Sequence, residues 1–317
     1  MKPYLIIDAH SHLWLHQDTT VDGKRIKTLT NGRSEFMGET RQMLPPFMID
    51  GCNTAEVFLS NMDYAQVSTA VVVQEFIDGI QNDYLSQINK QYSSRFITCG
   101  MCDYLHNTDT HNYHKTLVQQ TEELLSQGFS GMAIPGHRLH LPDGGRIALN
   151  APEMMEMYKL METKDAFLSL TLEEDNSQLS EVEDIITEYP HLRIAIGHFG
   201  MVTTSGWMDQ IRLARHPNVM IESGGITWLF NSEFYPFKGA VKAILQAADV
   251  VGMDKLMWGS DYPRTITAIT YRMSYDFIIK NNSISDRDKR MFLGENAQRF
   301  YGIQHPVSLP YIKNMSE

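Results

Sequence analysis

The segment "IDAHSH" carries His10 and His12, one residue apart, directly after the apolar run at residues 4–7. On an extended chain, positions i and i+2 face the same side, so these two imidazoles are neighbours. Two other short runs end on groups of the same kind: "IGHFG" delivers His198 and "GSDYP" delivers Asp261. Gathered at one place, imidazoles and a carboxylate can take up and return protons near neutral pH. Scattered, they are ordinary polar residues. Which of these holds depends on the elements that carry them.

Short apolar runs alternate with amphipathic segments from end to end. The pattern predicts strands over residues 4–9, 68–74, 96–101, 129–134, 167–172, 192–197, 218–223 and 255–260. Helical periodicity fills the intervals, as in "HKTLVQQTEELLSQG", "PEMMEMYKLMETK" and "PFKGAVKAILQAADVVG". "SQLSEVEDIITEY" offers Ser177 or Ser180 as an N-cap ahead of acidic residues, and "LLSQGFSG" stops its helix at Gly128. Strands alternating with helices imply parallel pairing, and eight such units imply an α/β fold, the (β/α)8 TIM barrel, as one domain over residues 1–317. One interval breaks the spacing. Residues 15–67, rich in Gly, Asp, Thr and Arg, read as an insertion or lid over the barrel mouth.

Catalytic groups of such barrels follow the C-terminal ends of the strands. His10 and His12 then follow the first strand, Gln74 and Glu75 the second, and His137, Arg138 and His140 the fourth. His198 follows the sixth, Glu222 and Ser223 the seventh, and Asp261 and Arg264 the eighth. Three separate strand ends place His, His and Asp in one mouth.

The totals narrow the class of partner. With 27 basic against 38 acidic residues the formal charge is −11, the wrong sign for sequence-independent binding to nucleic acid or an anionic membrane. A local Arg or His can still hold an anionic small molecule. No run approaches the ~18 apolar residues of a membrane span, and residues 1–15 lack a signal-peptide pattern. The expectation is a soluble, cytoplasmic protein acting on a small-molecule substrate, compatible with a homo-oligomer. The pair Cys99 and Cys102 in "CGMC" matches a redox or zinc spacing, but it ends an apolar run and has no second pair, which favours buried thiols.

The ordered trio "IDAHSH", "IGHFG" and "GSDYP" resembles the amidohydrolase superfamily, in particular its amidohydrolase-2 branch of metal-dependent TIM-barrel hydrolases. The resemblance runs over nearly the whole chain. It implies that His10, His12 and Asp261 ligate one divalent metal, zinc or alternatively manganese, with His198 available to complete the shell. It also implies that Asp261 takes a proton from the attacking water and that His198 orients or polarises the substrate. Many members place a further ligand, His or carbamylated Lys, on the fifth strand. Here Thr171 stands at that place in "AFLSLTLEED", with Glu173 as a nearby substitute.

That departure, and the run "LSLTLEEDNSQLSEVEDIITEYPHLRIAIGHFG", look like the sugar-lactonase and dicarboxylate-lactonase members, where the metal can be dispensable. The reaction implied is opening of a lactone by activated water, with Arg138, His137, His140 or Arg264 gripping substrate oxygens. Two other readings stand beside it: non-oxidative decarboxylation of a small aromatic or muconate-type carboxylate, and a non-catalytic ligand-binding barrel. The bland alternatives are satisfied core histidines at His10, His12 and His198, and a helix cap at Asp261. His137, Arg138 and His140 can be an ordinary polar loop, and Trp228, Phe230 and Tyr262 read as packing aromatics.

Overall fold

In the computed structural model of the chain, residues 4–106, 114–141, 144–313 and 315 are described. The apolar run after Tyr4 becomes β1 (Ile7–Ser11), buried along its whole length. The chain then makes an antiparallel excursion through β2 (Asp18–Val21), β3 (Lys24–Thr28), β4 (Arg33–Phe36) and β5 (Glu39–Gln42). It returns through helix α1 (Ala55–Ala65) to β6 (Thr69–Val72). The remaining barrel strands are β7 (Phe96–Gly100), β8 (Gly131–Pro135), β9 (Phe167–Thr171), β10 (Arg193–Ile196), β11 (Val219–Glu222) and β12 (Leu256–Met257).

The eight barrel strands pair in parallel in the order β1-β6-β7-β8-β9-β10-β11-β12. The ring is joined where Ala9 donates to the Trp258 carbonyl (2.9 Å), Asp261 to that of His10 (2.9 Å) and His12 to that of Tyr262 (2.7 Å). The eight strands expected from the apolar runs are thus all present. The last is the most shortened, because Trp258–Asp261 bends across to β1 instead of continuing along β11. These strands are buried on both faces, which is why they read as continuous apolar runs and not as alternating ones.

Inside the barrel, small and large side chains interleave: Ala9, Val71, Ala133 and Ala195 beside Ile7, Phe167 and Met220. Phe300, from a C-terminal helix (Asn296–Tyr301), packs edge-on against Phe167 and joins this cluster. Cys99 belongs to the interior and Cys102 packs outside it; both are buried and free, and burial pushes the Cys102 thiol up to about 12. They are the buried thiols the sequence favoured. Between barrel and helices lies the larger core. There Phe58 of α1 stacks on Tyr262 with ring centroids 3.9 Å apart and meets Tyr271 edge-on at 5.4 Å. Phe58→Ala should therefore cost ~3–5 kcal/mol of unfolding free energy. Urea denaturation checks this, and a loss below ~1 kcal/mol would mean that the site collapses around the missing ring.

Two expectations need correction. The helix after β9 is α5 in chain order (Leu179–Glu188), and neither Ser177 nor Ser180 caps it. Gln178 occupies the cap position, and its side chain instead donates to the Gly136 carbonyl (2.9 Å) and accepts from the Glu173 amide (2.9 Å). It thereby ties together the loops after β8 and β9. Second, the interval 15–67 contains the ordinary crossover helix α1, so the true excursion is the four-stranded sheet with its flanking turns. Its strands are short and half-exposed, and Glu39–Gln42 is exposed throughout, so no apolar run announced them. Its buried residues Val21, Ile26 and Phe36 pack on Ile77, in the turn Phe76–Asp78 that follows the C-terminal end of β6. No helix among the described residues is long and apolar enough to cross a membrane.

Candidate metal centre and active site

The end of β1 and the turn after β12 are knitted together by Asp8. Its carboxylate accepts from the Ser260 amide (2.8 Å) and hydroxyl, from Tyr271 Oη (2.7 Å) and from the His10 amide (3.1 Å). This holds Asp261 opposite His10 in a left-handed conformation (φ 57°). His198 (φ 52°) and Phe199 (φ 51°) after β10 share that conformation. Non-glycine residues adopt it at a cost, and such outliers gather at functional sites.

Three side chains meet there. His10 Nε2 lies 3.1 Å from His12 Nε2 and 3.8 Å from Asp261 Oδ1, and His12 Nε2 lies 3.1 Å from the same oxygen. All three residues are buried. Burial pushes His10 and His12 down to about 4, so both rings are neutral near pH 7. His10 Nδ1 donates to Glu222 Oε1 (2.7 Å), which leaves its Nε2 a lone pair. His12 Nδ1 faces Asp78 Oδ2 at 3.5 Å and has no other partner. With both Nδ1 protons turned toward carboxylates, two nitrogen lone pairs and an anionic oxygen point at one spot. Without a cation between them they repel. The donor set of His10, His12 and Asp261 therefore fits a divalent metal, and it is the cluster of this kind among the described residues.

Asp261 is prepared for that role. Burial pushes its carboxyl upward, but Arg264 and then His12 outweigh this and hold it well below the usual carboxylate range. Trp228 Nε1 donates to Oδ2 (2.7 Å), leaving Oδ1 for the histidines and for Arg264 Nη1 at 3.4 Å. Trp228 is thus more than the packing aromatic its sequence context suggested. Gly225 makes room for it: a Cβ there would fall 1.9 Å from Trp228 Nε1. Tyr262 and Phe230 do pack against the core.

Glu222 is the second feature that sequence reasoning left without a role. Its Oε1 also accepts from the His198 amide (3.1 Å), Oε2 accepts from the Gly224 amide, and burial pushes the acid up to about 7. Gly197, Gly224 and Gly259 surround it, and a Cβ at any of them would come 2.8 Å from a Glu222 oxygen. Asp78 was missed outright, since a lone Asp in "QEFIDG" carries no signal of its own. Arg264 Nη2 donates to both its oxygens, at 3.0 and 2.8 Å.

The other sequence candidates lie around this centre. His198 lies beside His10 (centroids 4.7 Å apart, rings tilted by 55°), and its Nδ1 meets the Gly224 carbonyl at 2.9 Å, which leaves Nε2 as acceptor. Burial, then His10, lowers its pKa. His137 and Arg138 follow β8 and pair with Glu75 at 3.4 and 2.9 Å. Burial holds His137 well below its ordinary range, with Arg138 and then His198 adding to the effect. His140 pairs with Glu173 at 3.1 Å. Glu173 thus faces His140 and lies outside the donor cluster, and the fifth strand ends on Thr171 without a further ligand.

The family follows from the chain's match to the amidohydrolase-2 model, described as amidohydrolase, over residues 7–303. The chain belongs to the amidohydrolase-2 family. No curated protein matches it. Among solved structures, an amidohydrolase from Burkholderia multivorans with bound zinc is 15% identical, with TM-score 0.66 over 94% of this chain and 99% of that one. A probable 2-pyrone-4,6-dicarboxylic acid hydrolase from Acinetobacter baumannii with citric acid bound is 19% identical, with TM-score 0.64 over 94% and 99%. A 5-carboxyvanillate decarboxylase from Sphingomonas paucimobilis is 15% identical, with TM-score 0.56 over 80% and 84%. At these identities the likeness establishes the barrel fold. Family and site together make this amidohydrolase an enzyme that uses a divalent metal.

Proposed function

We propose that this amidohydrolase opens a small lactone with activated water. The observation that carries the reading is the donor set itself: His10, His12 and Asp261 converge, while Glu173 is turned to His140 and no fifth-strand ligand joins them. The likeness to a probable pyrone-dicarboxylate hydrolase supports it. Zinc is the preferred ion, because two neutral imidazoles and one carboxylate suit it, and a related barrel holds zinc. Such an ion, when bound, acidifies water towards a pKa of ~7 and polarises a carbonyl.

The residues do the rest. Asp261 supplies the charge that retains the cation. Ionised near neutral pH, its carboxylate would also take the proton of the attacking water. His198, with Nε2 free, orients the ester carbonyl or returns a proton to the leaving alkoxide. Arg138 and His137 flank the mouth and hold substrate oxygens, with His140 beside them. Arg264, already shared by Asp78 and Asp261, fixes the anions instead of reaching outward. The excursion β2–β5, attached at the β6 end of the mouth, shapes which substrates enter.

A panel of sugar lactones and carboxylated pyrones, followed by acid release, tests the reaction. One equivalent of acid per lactone consumed, with no CO2, is expected. CO2 release from carboxylated benzoates or muconates without lactone turnover would instead identify a decarboxylase. Binding without turnover of either kind would leave only the ligand-binding barrel.

A further inference from the structure

The excursion β2–β5 is joined to the donor cluster by a continuous buried chain of polar groups. Ser34 Oγ on β4 donates to Gln17 Oε1 (2.7 Å), and Gln17 Nε2 donates to Asp78 Oδ1 (2.8 Å). The Gln17 amide is anchored on Thr28 Oγ1 of β3 (2.8 Å). Asp78 then reaches the site in two directions, with Oδ2 3.5 Å from His12 Nδ1 and with both oxygens accepting from Arg264 Nη2. Ser34, Gln17, Asp78 and His12 are all buried, with 3%, 1%, 2% and 4% exposure, so water does not substitute for any link.

The distances assign a division of charge. Arg264 is close to two carboxylates, but it grips Asp78 with two short contacts and reaches Asp261 with one long one of 3.4 Å. Charge-assisted hydrogen bonds strengthen as they shorten, so Nη2, which reaches both Asp78 oxygens, ties Arg264 to Asp78 more tightly than Nη1 ties it to Asp261. Were Asp78 absent, Arg264 would have Asp261 as its sole carboxylate partner here and would neutralise the oxygen that faces His10 and His12. We propose that Asp78 is a positioning residue that holds Arg264 off Asp261 and aims His12, and that Gln17 and Ser34, carried by the excursion, hold Asp78 in place. The excursion thereby tunes cation affinity as well as bordering the mouth. This rests on the reading of His10, His12 and Asp261 as a metal centre.

The test is zinc affinity by competition with a chromogenic chelator, on the full chain and without substrate. Asp78→Asn should bind zinc at least ~10-fold more weakly, the scale of groups that orient metal ligands. Removing the displaced cation as well, in Asp78→Asn/Arg264→Met, should restore affinity to within ~3-fold of the parent, because the Asn oxygen still faces His12 Nδ1 and no cation competes for Asp261, a coupling that only the charge-competition account produces. Unchanged affinity in Asp78→Asn, or no recovery in the double variant, overturns the proposal. Should Asp78→Asn not fold, Gln17→Met replaces it, since it leaves every charge in place. It should weaken zinc binding and alter the visible absorption of bound cobalt(II), and an unchanged affinity and spectrum overturn the proposal. A parent that takes up no zinc contradicts the metal reading and this inference together. A zinc-binding parent with unaltered variants contradicts this inference alone.

Discussion

Asp261→Asn should lose turnover at least ~10²-fold, the scale of removing a general base or a charge-bearing ligand, and should lose zinc with it. The folded structure should survive. The Asn oxygen can accept from Trp228 Nε1 in place of Oδ2, and its amide can donate to the His12 Nε2 lone pair. Arg264 keeps its two contacts to Asp78. What disappears is the negative charge that, beside two neutral imidazoles, retains the cation. Activity on a lactone and zinc content, measured together with melting temperature, check this. If Asp261 served only to cap the turn after β12, Asn would serve nearly as well and both activity and zinc would persist.

A comparable loss is expected from Glu222→Gln, although Glu222 lies outside the donor set of His10, His12 and Asp261. Its two oxygens accept from three donors: His10 Nδ1, the His198 amide and the Gly224 amide. Glutamine has one oxygen. In either orientation its NH2 group meets an N–H, and the glycines packed at 2.8 Å leave no space to turn away. With the NH2 at the place of Oε1, relief comes from His10 moving its proton to Nε2, which covers the lone pair aimed at the cation; with it at the place of Oε2, the Gly224 amide is left unpaired. Zinc affinity should fall ~10–100-fold, and stability by the ~1–3 kcal/mol of a buried donor left unpaired. Parent-like zinc affinity in the variant would show that His10 does not depend on Glu222 for its tautomer.

Much of this was written in local pattern. Parallel strands buried on both faces leave apolar runs, and each run ends where its polar residue begins, so β1, β10 and β12 announced His10, His12, His198 and Asp261 together. The strands β2–β5 were not legible because they bury two side chains at most, only Val21 in β2, only Ile26 in β3 and none in β5. Nor was the layer behind the donors. Asp78 and Gln17 gain their meaning from a chain that returns to the mouth 61 residues apart, and Trp228 reaches Asp261 across 33. Such partners depend on tertiary placement, and a lone Gln, Asp or Trp has no spacing to betray it. Glu222 was visible at a strand end, but its role came only with the glycines around it. Glu173 shows the converse: its place one residue beyond Leu172 suggested a ligand, and the loop held by Gln178 turns it to His140 instead.

The most direct measurement of the metal centre is anomalous scattering at the zinc edge from crystals of the chain soaked in zinc. The account predicts one strong peak at ~2.0–2.2 Å from His10 Nε2, His12 Nε2 and one Asp261 oxygen. A zinc peak held by other residues, with these three side chains unligated, would contradict it.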